Sequence, residues 1–108
     1  ESREFRLNVL SENVAVVQDK ALSVLEEAVK SAEGLSLAPD NFEGIRVNAD
    51  KAHGDGWFLL RKSLHDPLMP LNVESDSEGG CLVMAKWLRE VLGTVEGLEM
   101  TPLDAFVK

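Results

Sequence analysis

Residues 45–60 have the sequence IRVNADKAHGDGWFLL, and this stretch predicts a β-hairpin. Apolar and polar residues alternate over residues 45–49, as in a strand with one buried face. The Gly-Asp-Gly sequence at residues 54–56 favours a chain reversal, because glycine tolerates positive φ and aspartate can hydrogen-bond to its own backbone. Residues 57–60 are continuously apolar, which is typical of an inner strand that contacts material on both of its faces.

Alternation outside the hairpin predicts two further strands, over residues 3–10 and 69–73. The second of these contains Pro70, which has no amide hydrogen to donate and is therefore expected at a sheet edge or a bulge. Residues 35–44 are rich in turn-forming residues, so they predict a connector rather than a strand.

Apolar residues at helical spacing predict two helices. The first is expected to start near residue 11 or 13 and to end near Gly34, with Gln18 off its apolar stripe. The second is expected to start at residue 76 or 77 and to end at Gly93, and Cys81 lies on its stripe as a core residue.

The predicted order of elements is β-α-β-β-β-α, which indicates an α+β fold. We expect a two-layer sandwich in which a four-stranded antiparallel sheet carries both helices on one face. Residues 1–93 are predicted to form the domain, and residues 94–108 a C-terminal tail that is docked on it or frayed. A length of 108 residues suits one domain with one core.

Composition disfavours two classes of partner. The chain has 11 lysines and arginines against 19 aspartates and glutamates, a formal charge of -8, which opposes binding to nucleic acid. Its longest apolar run, residues 81–85, is far shorter than the roughly 18–20 residues that span a bilayer, so no membrane contact is expected. A single cysteine favours a reducing, intracellular location and leaves the compartment open. The chain starts with Glu1 and shows no signal segment, so we expect a piece of a longer protein.

The candidate site follows the inner strand directly, where residues 61–63 have the sequence Arg-Lys-Ser. A guanidinium group can bond two phosphate oxygens at once, a neighbouring hydroxyl adds one bond, and loop amides can complete an anion cradle. The alternative is a solvated strand end without a ligand, and spacing alone does not decide between the two.

Residues 57–74, WFLLRKSLHDPLMPLNVE, resemble the C-terminal signature of the α-D-phosphohexomutases, W-x-L-x-R-x-S-(G/N)-T-E-P followed by a strand that ends in glutamate. Residues 41–47, NFEGIRV, are similar to the D-G-(V/I)-R-V strand opening of the same family. The resemblance implies a TATA-binding-protein-like fold whose loop holds the phosphate of a phosphosugar substrate. It also implies that the domain closes over an active site shared with preceding domains.

By this resemblance, Arg61 and Ser63 occupy the positions of the phosphate-binding arginine and serine of the family, and Lys62 lies between them. Arg61 is expected to supply a fixed charge, and Ser63 a hydroxyl donor.

Four positions depart from the pattern of the family. Leu64 replaces the glycine or asparagine whose amide helps to bind phosphate, so the amide is kept but the backbone is more restricted. His65 replaces a threonine and offers a ring N–H in place of a hydroxyl. Asp66 is one methylene shorter than the usual glutamate, and Pro70 stands where many members have another arginine.

The function implied is that of the substrate-phosphate-binding domain of an enzyme that interconverts sugar 1-phosphates and 6-phosphates. The phosphorylated serine and the Mg²⁺ loop of this family lie in preceding domains. The chain is therefore expected to contain no catalytic or metal-binding residue and to be inactive alone. A non-catalytic interaction module derived from this domain is the alternative, favoured by Leu64, His65 and Pro70 and opposed by residues 61–63.

Overall fold

The computed structural model describes residues 1–39 and 44–108 and confirms the α+β class. In chain order the elements are β1 (Ser2–Asn8), α1 (Val14–Lys30), β2 (Leu35–Leu37), β3 (Gly44–Ala49), a 3-10 turn (Lys51–His53), β4 (Gly56–Arg61), β5 (Leu68–Ser75), α2 (Gly80–Leu92) and α3 (Thr101–Val107).

All strand pairs are antiparallel, and the sheet order is β1-β5-β4-β3-β2. The predicted hairpin is confirmed, since β3 pairs with β4 from Gly44↔Arg61 to Ala49↔Gly56. The prediction of four strands is wrong, because the three-residue strand β2 adds a fifth at the edge. Leu35, Ser36 and Leu37 do alternate, but three residues in a stretch rich in turn-forming residues are too few to predict a strand. Residues 40–43 of the predicted connector lie outside the described residues.

One face of the sheet carries the core. Its buried residues alternate along the strands with more exposed ones, except at Pro70 of β5, which is buried on the opposite face, and the helices pack against the core face. The buried strand residues are Phe5, Leu7, Ile45, Val47, Phe58, Leu60, Met69, Leu71 and Val73. From the helices, Leu25, Met84 and Leu88 complete this core, and Cys81 is fully buried in it as predicted.

The helix α1 ends at Lys30, four residues before the predicted stop. Gly34 has a φ of 81° and lies directly against the ring of His53, where a Cβ atom would overlap that ring. Gly34 is therefore required by a turn into β2 rather than by the helix end itself.

The prediction of two helices is also wrong, because α3 lies in the segment predicted as a tail. Leu103 of α3 is fully buried, and the ring of Phe106 lies 5.4 Å from that of Phe5 on β1. Val95 and Leu98, which precede α3, are buried too. A seven-residue helix is too short to show a clear period in sequence, so its packing rather than its pattern defines it.

The prediction that Pro70 lies at a sheet edge or a bulge is wrong, because β5 is an interior strand and its register with β1 is regular across Pro70. Pro70 lies opposite Arg6 of β1. The ladder between β4 and β5 runs from Gly56↔Ser75 to Leu60↔Leu71 and stops there, so Pro70 has no ladder partner on β4. The missing amide hydrogen is tolerated where pairing on one side of the strand has stopped.

Candidate phosphate-binding loop

Residues 62–67 join β4 to β5 in a loop closed by its own backbone. The amide of Ser63 donates to the Leu68 carbonyl at 3.3 Å, and the amide of Leu68 donates to the Asp66 carbonyl at 2.8 Å. Beyond the loop, the amide of Val9 donates to the Pro67 carbonyl at 2.7 Å. The loop therefore has a defined base next to the end of β1.

The side chain of Gln18, on α1, hydrogen-bonds to the base of this loop. Gln18 is only 5% exposed, and its Nε2 donates to the carbonyls of Ser63 and Leu68 at 3.4 and 3.3 Å. The prediction that Gln18 lies off the apolar stripe is wrong, because its side chain is turned into the core to reach the loop. Its position four residues after Val14 and three before Ala21 is the signal that could have placed it there.

Lys62 is already engaged with α1. Its Nζ forms an ion pair with Asp19, a residue on the same helix as Gln18. The structure thus uses Lys62 to fasten the loop to α1, so its charge is partly offset before any ligand arrives.

The side chain of Arg61, in contrast, has no hydrogen bond, ion pair or ring contact with any residue among 1–39 and 44–108. It is the last residue of β4 and is half-buried at the start of the loop. Each other arginine has a partner: Arg3 lies over Phe106, Arg6 pairs with Glu4, Arg46 lies over Trp57, and Arg89 pairs with Asp104. Within the described part of the chain, Arg61 is the guanidinium group left available to an external anion.

The tip of the loop offers further donors. Leu64, His65 and Asp66 are exposed, and the amides of Leu64 and His65 donate to no described residue. The hydroxyl oxygen of Ser63 accepts the amide of Asp66 at 3.3 Å, so its own hydrogen remains free to donate. One short loop thus brings together a free guanidinium group, a hydroxyl group and two amides, which are donors suited to phosphate oxygens.

The other face of β4 is partly open. Trp57 and Leu59 are half-buried on the side away from the core, so the described residues cover this second face of β4 only in part. The guanidinium carbon of Arg46 lies 4.3 Å from the centre of the Trp57 ring and covers part of it. The apolar run in β4 reflects an interior strand covered by helices on one side.

The described residues include no group of three or more histidine, cysteine, aspartate or glutamate side chains placed to hold a metal ion. Helices of the length and apolarity needed to cross a bilayer are likewise absent from residues 1–39 and 44–108.

Comparison with known proteins gives no match to a family model and no similar curated protein.

Proposed function

We propose that Arg61 and the 62–67 loop bind the phosphate group of a phosphorylated sugar. The observation that carries this proposal is the free guanidinium group of Arg61 beside a loop with unused donors. A charged side chain without a partner gains most from an anion, since it has no internal bond to give up. The base of the loop is held by Gln18 and by the Lys62–Asp19 pair, so these donors are positioned before the ligand arrives.

In this proposal the chain is the C-terminal, substrate-phosphate-binding domain of a phosphohexomutase, with a TATA-binding-protein-like arrangement of its sheet and helices. The motif from Trp57 to Glu74 supports that assignment. The reacting serine and Mg²⁺ would belong to preceding domains, so the chain alone binds substrate without converting it.

The electrostatic contribution follows from the donor types. Arg61 supplies a permanent positive charge that can bond two phosphate oxygens, while Ser63 and the amides of Leu64 and His65 direct those oxygens. Loss of a charge-assisted bond from Arg61 is expected to cost about 1.5–3 kcal/mol in binding. The expected affinity of the chain alone is of millimolar order, because the contacts of other domains are missing.

This proposal is tested by ³¹P NMR of glucose 1-phosphate, glucosamine 6-phosphate and inorganic phosphate as the chain is added. We expect the phosphorus signal of all three ligands to shift or broaden, and Arg61→Ala to abolish the change. Arg3→Ala is the matched control, because Arg3 is engaged with Phe106 instead of the loop. The proposal would be refuted if the unmodified chain and the Arg61→Ala variant shifted or broadened all three phosphorus signals equally.

A non-catalytic interaction module is the second candidate, and the exposure of Leu64 favours it. Leu64 is 79% exposed at the loop tip, where an apolar side chain has no partner among the described residues. On this alternative the loop contacts a protein, and phosphate has no effect on it. The phosphorus titration separates the two candidates, because only the first predicts a dependence on Arg61.

A further inference from the structure

The strand register places a second arginine near the proposed phosphate site. Arg6 of β1 is directly opposite Pro70 of β5. On the other side of β5, the ladder with β4 ends at Leu60↔Leu71, so the next residue of β4, Arg61, flanks Pro70 from that side. The two arginines therefore stand on either side of one proline.

Both arginines belong to the same face of the sheet. Arg6 lies between the buried residues Phe5 and Leu7, and Arg61 follows the buried residue Leu60. Because side chains alternate along a strand, Arg6 and Arg61 project from the face opposite the core. Neighbouring strands are about 4.8 Å apart, so the two Cα atoms are separated by roughly 10 Å. Two long side chains can meet over Pro70 across that distance.

The present partner of Arg6 is easily exchanged. Its Nε lies 3.3 Å from Oε1 of Glu4, two residues away on the same strand, and the Arg6 side chain is 72% exposed. Exposed pairs of this kind contribute little to stability. Pro70 between the arginines is buried and carries no charge and no amide hydrogen, so it gives neither guanidinium group an internal partner that an anion would have to displace.

Building on the proposed function, we propose that Arg6 is the second cation of the phosphate site. Arg6 and Arg61 bond one phosphate monoester from opposite sides, above Pro70. Two positive charges match the double negative charge of a phosphate monoester better than the single charge of a sulfate ester. The ligand then approaches from the open face of the sheet, and its uncharged part lies over the half-buried Leu59.

The test compares methyl phosphate with methyl sulfate, which share a shape and differ in charge. Affinity is taken from the ¹⁵N-labelled chain, as the amide shifts of Leu64 and His65 against ligand concentration. We expect Arg6→Ala to weaken methyl phosphate binding about fivefold and Arg6→Lys to weaken it less, since lysine keeps the charge. Methyl sulfate should bind more weakly to the unmodified chain and respond less to Arg6→Ala.

Arg3→Ala is the control for net charge, because Arg3 is on the same strand but lies over Phe106 on the helix side. It should leave both affinities within about twofold of the unmodified chain. Equal affinities of Arg6→Ala and Arg3→Ala for methyl phosphate would overturn the role of Arg6. The proposed function would survive that result if Arg61→Ala still abolished binding. Both would fail if the unmodified chain did not bind methyl phosphate.

Discussion

At the scale of single residues, Gln18 links the core to the candidate site. A buried amide group is costly unless its hydrogen bonds are made, and Gln18 donates to two carbonyls that bracket the loop. The same bonds hold Ser63 and Leu68 at a fixed separation. The shape of the loop therefore depends on a side chain that contacts no ligand.

Replacing Gln18 by methionine should destabilise the chain by about 1–2 kcal/mol, because two carbonyls lose a donor at little cost in volume. The measurement is the free energy of unfolding in urea, together with amide exchange of the loop, which should become faster. Lys20→Met is the control, as Lys20 is exposed on the same helix. Unchanged loop exchange in Gln18→Met would show that the loop is held by other contacts.

Cys81 is a second buried group with a measurable consequence. Burial in the core, helped by the negative charge of Glu1, raises the pKa of the Cys81 thiol above its usual value. The folded chain keeps the thiol neutral at a pH where the unfolded chain has begun to ionise it. Its contribution to stability is full below the unfolded pKa of about 8.5 and declines as the pH rises above that value.

Stability should therefore fall more steeply between about pH 8 and pH 10 in the unmodified chain than in Cys81→Ala. Urea unfolding at several pH values measures the difference. Parallel declines in the two proteins would mean that the thiol ionises equally well in the folded state.

At the scale of elements, α3 belongs to the core although its sequence pattern is weak. Leu103 is fully buried, and Asp104 accepts a 2.5 Å hydrogen bond from Nε of Arg89 on α2. Contacts with both α2 and β1 fix this short helix, which would be marginal by itself.

Leu103→Ala should cost about 2–5 kcal/mol, the usual range for a leucine removed from a packed core. Leu64→Ala removes the same atoms from an exposed site, and a change within about 0.5 kcal/mol is expected there. Thermal or urea unfolding of the two variants provides the comparison. Similar costs at both positions would contradict the assignment of α3 to the core.

The elements that could be predicted are those with a long, regular pattern. The hairpin of β3 and β4 follows from alternation and from its glycines, and the helices α1 and α2 follow from helical spacing. The ends of these helices are predicted less well, since Gly34 does not end α1 and α2 starts at Gly80 rather than at residue 76 or 77. The strand β2 and the helix α3 could not be predicted, because three and seven residues are too few to establish a period. Their conformations are decided by neighbours in space, which a sequence pattern does not contain.

The consecutive residues of the candidate site could be proposed from the sequence, but the contacts that support them could not. Arg61, Ser63 and the loop tip are consecutive, so local sequence places them together. The pairing of Lys62 with Asp19 and the support from Gln18 join positions more than forty residues apart, and spacing along the chain cannot reveal them. The flanking position of Arg6 also depends on the strand order β1-β5-β4.

At the scale of the whole molecule, the net charge is -8, so the local placement of the cationic side chains decides where a phosphate group can bind. A phosphate approaching an acidic protein is repelled overall, so it binds only where cations are concentrated and unpaired. At the end of the sheet that carries the loop, Arg61 is unpaired, and the exposed pair with Glu4 is the one ion pair that Arg6 makes within the described residues. The opposite end of the open face carries Glu74, so the face is polarised along its strands.

The most direct test of phosphate binding is an amide map of the ¹⁵N-labelled chain titrated with glucose 6-phosphate. The predicted result is a set of saturating shifts centred on Arg61, Leu64 and His65, absent in Arg61→Ala and retained in Arg3→Ala. Shifts that are absent from the loop at tens of millimolar ligand, or that persist there in Arg61→Ala, would contradict the assignment of this loop as a phosphate site.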